Sequence, residues 1–225
     1  MGPFRAGRVL GVVVVTLVLT SCGSEKDVTV LSAEELDAVV LTLDDLGEGW
    51  SGYDHAVITQ EWREEMMGAM DLCPEAGAEA TEAVAGLVWQ ARAEAHYPLE
   101  GSEAFPPSVQ QYLLADEPGE VESVFGLLRE GLRVCMEEGQ GIKEGFEGAT
   151  ASPMTVPHLG DEAFGHRTHV PFPVGGHGDL RLVFVRKGAT LMFFQVLEVI
   201  EVDGDNAFSV DEIGELLERA VDRLP

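Results

Sequence analysis

Residues 180–200 read LRLVFVRKGATLMFFQVLEVI, two apolar runs separated by Arg186, Lys187 and Gly188. No other stretch narrows the fold as much. Both runs are rich in Val, Phe and Leu, residues that suit a pleated and covered surface, and a tight Lys187-Gly188 turn joins them as an antiparallel hairpin. Their aliphatic and aromatic content places them centrally in a sheet, covered on at least one side. Strands are expected over residues 163–171, 180–186 and 189–202, with the loop PFPVGGHGD between the first two.

Helices to cover such a sheet are marked by spacing. Ser209 and Glu212 form a capping box, and Val210, Ile213, Leu216, Leu217, Ala220, Val221 and Leu224 then follow as the apolar face of a closing helix. Pro118 opens an earlier helix in which Val121, Val124, Phe125, Leu128, Leu132 and Cys135 recur at helical spacing, so Cys135 faces the core. Ahead of it, residues 88–97 alternate. Trp89, Ala91, Ala93, Ala95 and Tyr97 fall on one face and Gln90, Arg92, Glu94 and His96 on the other, as in a strand, with residues 108–114 as its hairpin partner. Ser32 and Glu35 start a short helix near Ala33, carrying Leu36, Val39 and Val40 on one face, and Thr42 precedes a second short turn ended by Gly47 and Gly49. The order is helix, two strands, helix, three strands, helix. Helices packed on an antiparallel sheet of about five strands, a single α+β domain over residues 32–225, is the simplest architecture that buries these faces.

The amino terminus has a different character. Arg5 and Arg8 precede an apolar run over residues 9–19, broken only by Gly11 and Thr16, which is the build of a secretory signal peptide over residues 1–21. As a helix this run reaches roughly half of a ~30 Å hydrocarbon core, so export is expected and not a permanent span. Leu19, Thr20, Ser21 and Cys22 resemble the lipobox of bacterial lipoproteins. That resemblance implies cleavage before Cys22 and a diacylglycerol thioether on its sulfur, with residues 22–31 as lipidated cysteine and tether. Two acyl chains, at about 0.8 kcal/mol per buried methylene, anchor a protein stably.

Loss of residues 1–21 removes two of the fourteen Lys and Arg and none of the forty Asp and Glu, leaving a formal charge of −28. Such a chain repels nucleic acid phosphate and anionic headgroups, so no nucleic acid partner is expected and the domain stands off the bilayer on its tether. The carboxylates are scattered and 45% of the chain is apolar, which describes a folded acidic domain.

With Cys22 lipidated, Cys73 and Cys135 remain. In an exported chain the pair is most simply a disulfide, worth roughly 4 kcal/mol on the chain-entropy model. Two buried thiols or a metal pair are the alternatives, although no Cys-x-x-Cys or Cys-x-x-His accompanies them.

Taken with the lipobox, the segment LTLDDLGEGW, a single cysteine on each side of the first hairpin, LGDEAF at residues 159–164, LRLVFVRKGATLMFF and the terminal AVDRL give the chain a family likeness. It resembles actinobacterial cell-surface lipoproteins and the related PknH-like extracellular sensor domain. The resemblance spans most of the mature chain and implies an antiparallel sheet with helices around a cleft. The sensor domain carries two disulfides, where this chain offers only Cys73 and Cys135. The resemblance also implies a sensing role, for which a signalling partner would be needed.

Catalytic and metal motifs are sparse. His158, His166, His169 and His177 crowd beside Asp161 and Glu162, but on a strand His166 and His169 point to opposite faces and His177 falls in a Gly-rich loop. Exposed histidines without a metal are expected. Asp203, Asp205 and Asn206 begin like a calcium loop, yet Phe208 stands at the sixth position and Gly214 at the twelfth, where Gly and Glu are required. No Gly-x-Ser-x-Gly, Ser-x-x-Lys, His-Glu-x-x-His or phosphate-binding glycine loop occurs. Trp50, Tyr53, Trp62, Trp89, Phe193 and Phe194 are expected mainly in the core. The functional expectation is a non-catalytic domain without a cofactor, lipid-anchored through Cys22 at the outer face of the membrane, that binds a ligand or a membrane protein partner. A structural or assembly lipoprotein, and an envelope hydrolase of unrecognised type, are the alternatives.

Overall fold

The hairpin expected from residues 180–200 lies at the centre of the sheet. The computed structural model describes residues 28–52, 89–99, 107–138, 148–172, 175–200 and 208–225. Along them run α1 (Ala33–Asp37), α2 (Leu43–Leu46), β1 (Ala91–Pro98), β2 (Ser108–Ala115), α3 (Pro118–Glu138), β3 (Thr150–Met154), β4 (Glu162–Pro171), β5 (His177–Lys187), β6 (Thr190–Ile200) and α4 (Val210–Asp222). The strands form one sheet in the order β1-β2-β6-β5-β4-β3, with every neighbouring pair antiparallel. The α+β class is therefore as expected, with one strand more than the sequence suggests.

That extra strand is β3, whose sequence TASPM contains Pro153. A proline reads as a breaker because it has no N–H for a ladder, yet β3 is an edge strand that pairs only with β4, where a missing donor is tolerated. Two other boundaries move. β1 starts at Ala91, and Trp89 packs against the opposite cluster from Ala91, Ala93, Ala95 and Tyr97, so it does not share their face as the alternation suggests. His177 is the first residue of β5 and not part of the preceding loop.

The central turn closes with Lys187 paired to Thr190, and Gly188 takes φ +57°, the left-handed conformation that primed hairpin turns require. Strand parity then sorts side chains onto two faces. One face carries Tyr112, Leu114, Leu182, Phe184, Leu191 and Phe193 and is covered by Val121, Val124, Phe125, Leu128 and Leu132 of α3, the helical spacing foreseen. On it Phe125, Phe164, Phe184 and Phe193 form a continuous aromatic run, with successive ring centroids 5.1, 4.8 and 4.8 Å apart. The other face carries Val109, Leu113, Val183, Val185, Met192, Phe194 and Val196 beneath α1 and α4.

The helix caps form as spaced. Ser32 and Ser209 each accept from the backbone N–H three residues on, while Glu35 and Glu212 accept from the cap N–H at 2.8 Å, which holds both carboxyls below the usual range. Ile213, Leu216, Leu217, Ala220, Val221 and Leu224 of the closing helix segment are all buried. Its carboxyl end is fastened at several points. Lys187 Nζ donates to the carbonyls of Val221 and Leu224 at 3.1 and 2.5 Å, Arg219 donates to the Asp45 carbonyl at 2.6 Å, and Arg223 donates to the Val40 carbonyl at 2.7 Å and to the Asp45 carboxylate. The amino-terminal segment is held to the sheet through Leu41, whose N–H donates to the fully buried Gln111 at 2.7 Å and whose carbonyl accepts from the Tyr97 hydroxyl at 2.6 Å. None of the described helices is long and apolar enough to cross a membrane.

Candidate functional site

On the α4 face the sheet changes character along its strands. Parity places His177, Asp179 and Arg181 on the same side as Val183 and Val185, and the register sets His169 and Glu198 on either side of Asp179 and Arg167 beside Arg181. An apolar core near the β5–β6 turn thus gives way to a row of charges.

Arg181 and Glu198 form its buried half, with side chains 4% and 1% exposed and an Nη2–Oε2 separation of 2.9 Å. Glu198 Oε1 also accepts from the Phe208 N–H at 2.8 Å, and Phe208 stacks on Trp50 with ring centroids 5.1 Å apart. Because Phe208 directly precedes the Ser209 cap, this ion pair fixes where α4 begins. The half-exposed part of the row is centred on Asp179, which is wholly buried. The Arg167 guanidinium donates to its Oδ2, His169 Nδ1 lies 3.1 Å from its Oδ1, and His177 Nε2 lies 3.8 Å from Oδ2. The two imidazole rings are 4.4 Å apart. Burial opposes ionisation of Asp179, but hydrogen bonds from Arg167 and His169, with the charges of Arg167 and His177, hold its carboxyl below the ordinary range.

Between α4 and the β3 edge lies a groove of about 490 Å³. Met154, Thr155, Val156 and Pro157 make one wall; Asp211, Ile213, Gly214, Glu215, Leu217 and Glu218 make the other; Arg181 of β5 lies between them. Two glycines shape it. A Cβ on Gly165 would meet Val156 Cγ2 at 2.8 Å and Met154 Cε at 3.2 Å, so glycine is what lets that wall lie against β4. Gly214 is the reverse case. Nothing lies within 4 Å of a Cβ built there, and a helix-interior glycine costs roughly 1 kcal/mol against alanine, so the helix is indented over open space.

The histidines expected to stay apart are thus divided. His158 is exposed, His166 is 2% exposed on the α3 face and not at the surface, and His169 and His177 meet across β4 and β5. Burial lowers the His166 pKa to about 4, so this ring is neutral at pH 7. Asp161 and Glu162 join no histidine; Arg186 lies 3.4 Å from Asp161 and 2.9 Å from Glu162, and Arg129 lies 2.7 Å from Glu162. Phe193 and Phe194 are core residues, and Trp50 and Trp89 pack partly buried against the two clusters. Cys22, Cys73, Tyr53, Trp62 and the polar stretch 203–206 lie outside the described residues, as does the side chain of Cys135, whose backbone is in α3. Among the described residues, the ligand atoms of His169, His177 and Asp179 lie within 4.8 Å of one another, a set that could hold a metal ion.

Arg167, Asp179, Arg181 and Glu198 were not singled out by sequence. The signal was present in Asp179 and Arg181, two charges at alternate positions leading into the apolar run Leu182–Val185 of a central strand. Their partners became visible only with the register.

No protein-family model matches the chain, and no curated protein matches it. Among solved structures, it is similar to the extracellular domain of PknH from Mycobacterium tuberculosis, with a TM-score of 0.55 and 9% identity over 87% of this chain and 97% of that one. At that identity the likeness is one of fold. The expected fold is therefore shared, while membership of an actinobacterial lipoprotein family has no support in sequence comparison.

Proposed function

We propose that this chain is a non-catalytic domain, exported and anchored to the outer face of the membrane by lipid on Cys22, that binds a small ligand in the groove between α4 and β3. The groove itself carries the reading. Its volume lies within the ~300–1,000 Å³ of small-molecule sites, and Met154, Val156, Pro157, Ile213 and Leu217 give its walls a largely apolar surface edged by charged groups. Asp211, Glu215 and Glu218 on the rim favour a ligand with an apolar body and a cationic group, since Arg181 below is already neutralised by Glu198. The protein-partner alternative has less to rest on: among the described residues the large exposed hydrophobics are Val28 and Leu43, which form no broad patch. A Cys73–Cys135 disulfide belongs to the same exported reading.

The test is native mass spectrometry of the protein extracted in mild detergent from its own host. A retained mass of small-molecule size that disappears on denaturation, and is missing from a groove-filling Gly214→Met variant, supports the proposal. A bare lipoprotein, or one carrying a second polypeptide, would instead favour the structural or assembly role. For the anchor, Cys22→Ala protein is expected to leave the membrane fraction.

A further inference from the structure

We infer that His169, His177 and Asp179 form a binding site for one divalent transition-metal ion of the zinc class at the end of the sheet. The inference is independent of the groove. Three ligand-bearing side chains come from two adjacent strands, with His169 directly opposite Asp179 in register and His177 two positions before it on the same face. In a tetrahedral site with ~2.0 Å bonds, neighbouring ligand atoms are about 3.3 Å apart. His169 Nδ1 and Asp179 Oδ1 are 3.1 Å apart, and His177 Nε2 is 3.8 Å from the carboxylate. Small changes in side-chain torsion therefore bring all three to one ion.

The donor set selects the metal class. Two imidazoles and one carboxylate suit zinc, nickel or copper, whereas calcium and magnesium require oxygen ligands in greater number. His169 and His177 are 40% and 29% exposed, which leaves water to complete the coordination from the solvent side. The wholly buried Asp179 cannot turn away, because Arg167 holds its Oδ2 and directs Oδ1 toward His169. Such an outer partner orients a metal ligand, and this one also carries a positive charge that opposes the ion. The strongly acidic chain as a whole works in the other direction. Arg167 thus sets the affinity as well as the geometry.

The full chain, purified in detergent and stripped of metal by a chelator, is titrated with Zn²⁺ by calorimetry and with Co²⁺ by visible absorption. One equivalent of Zn²⁺ is expected, with the intense Co²⁺ bands of a four-coordinate site. His169→Ala and His177→Ala should each weaken binding at least ~100-fold, since loss of a mere outer partner already costs 10–100-fold. His158→Ala should leave it unchanged. Arg167→Gln, which keeps a donor for Asp179 and removes only the opposing charge, should tighten it; should that variant fail to fold, the half-exposed histidine variants still decide. Absence of saturable Zn²⁺ uptake overturns the inference, and so does uptake that persists in the His169→Ala/His177→Ala double variant, which would assign the metal to scattered surface carboxylates.

Discussion

The two faces of one sheet have been put to different uses. Under α3 the strands present Phe164, Phe184 and Phe193, continued by Phe125 of the helix, and the histidine among them, His166, stays neutral. Under α4 the same strands begin apolar and end in Arg181, Glu198, Asp179 and Arg167, with a groove beside them. The α3 face is stabilised chiefly by apolar burial, whereas the α4 face holds charges in place at a desolvation cost and gains defined positions for polar groups. Period-two alternation makes this division possible, because consecutive residues of one strand serve opposite purposes.

The largest test of the contrast removes one member from each side. Phe184→Ala should cost about 3–5 kcal/mol by leaving a cavity, and Glu198→Gln about the same by stranding a buried guanidinium. The double replacement Arg181→Met/Glu198→Met separates the two causes. Urea unfolding should show it recovering most of the Glu198→Gln loss, and a double variant as unstable as the single one would mean that the α4 face depends on its charges for stability.

A smaller effect comes from pH. His166 has a folded pKa of about 4, below its unfolded value near 6.5, so the unfolded chain takes up the proton first as pH falls. Its contribution is constant above about pH 6.5, falls progressively toward pH 4 and then levels off, a loss of about 3 kcal/mol from one group. Replacing it by phenylalanine beside Phe184 removes that proton uptake. The difference in unfolding free energy between His166→Phe and the natural protein should therefore grow in favour of the variant from pH 7 to pH 4. A difference independent of pH would show that the ring is not held neutral. Smallest is Gly214→Ala. It should stabilise α4 by roughly 1 kcal/mol, raising the melting temperature by a few degrees, because its methyl group enters open space.

Local signals were the legible ones. Capping boxes at Ser32 and Ser209, the helical spacing from Val121 to Leu132 and the apolar hairpin each depend on residues close in sequence, and each formed. β3 escaped notice because a five-residue edge strand with a proline has too little apolar pattern to distinguish it from a loop. The sheet site was hidden for another reason. Whether His169 meets His177, or Asp161 meets Arg186, depends on cross-strand register, to which composition and spacing within a single strand are blind.

The fastening of α4 at both ends has a kinetic consequence. With Phe208 tied to Glu198 before its first turn, and Lys187, Arg219 and Arg223 gripping its last, the helix cannot swing as a lid. The opposite wall follows an edge strand with a neighbour on one side only. Any widening of the groove is therefore a movement of residues 154–157, so for a ligand of the proposed kind the rate of entry and exit would follow the compliance of that short segment, and the fixed helix would set how tightly it is held.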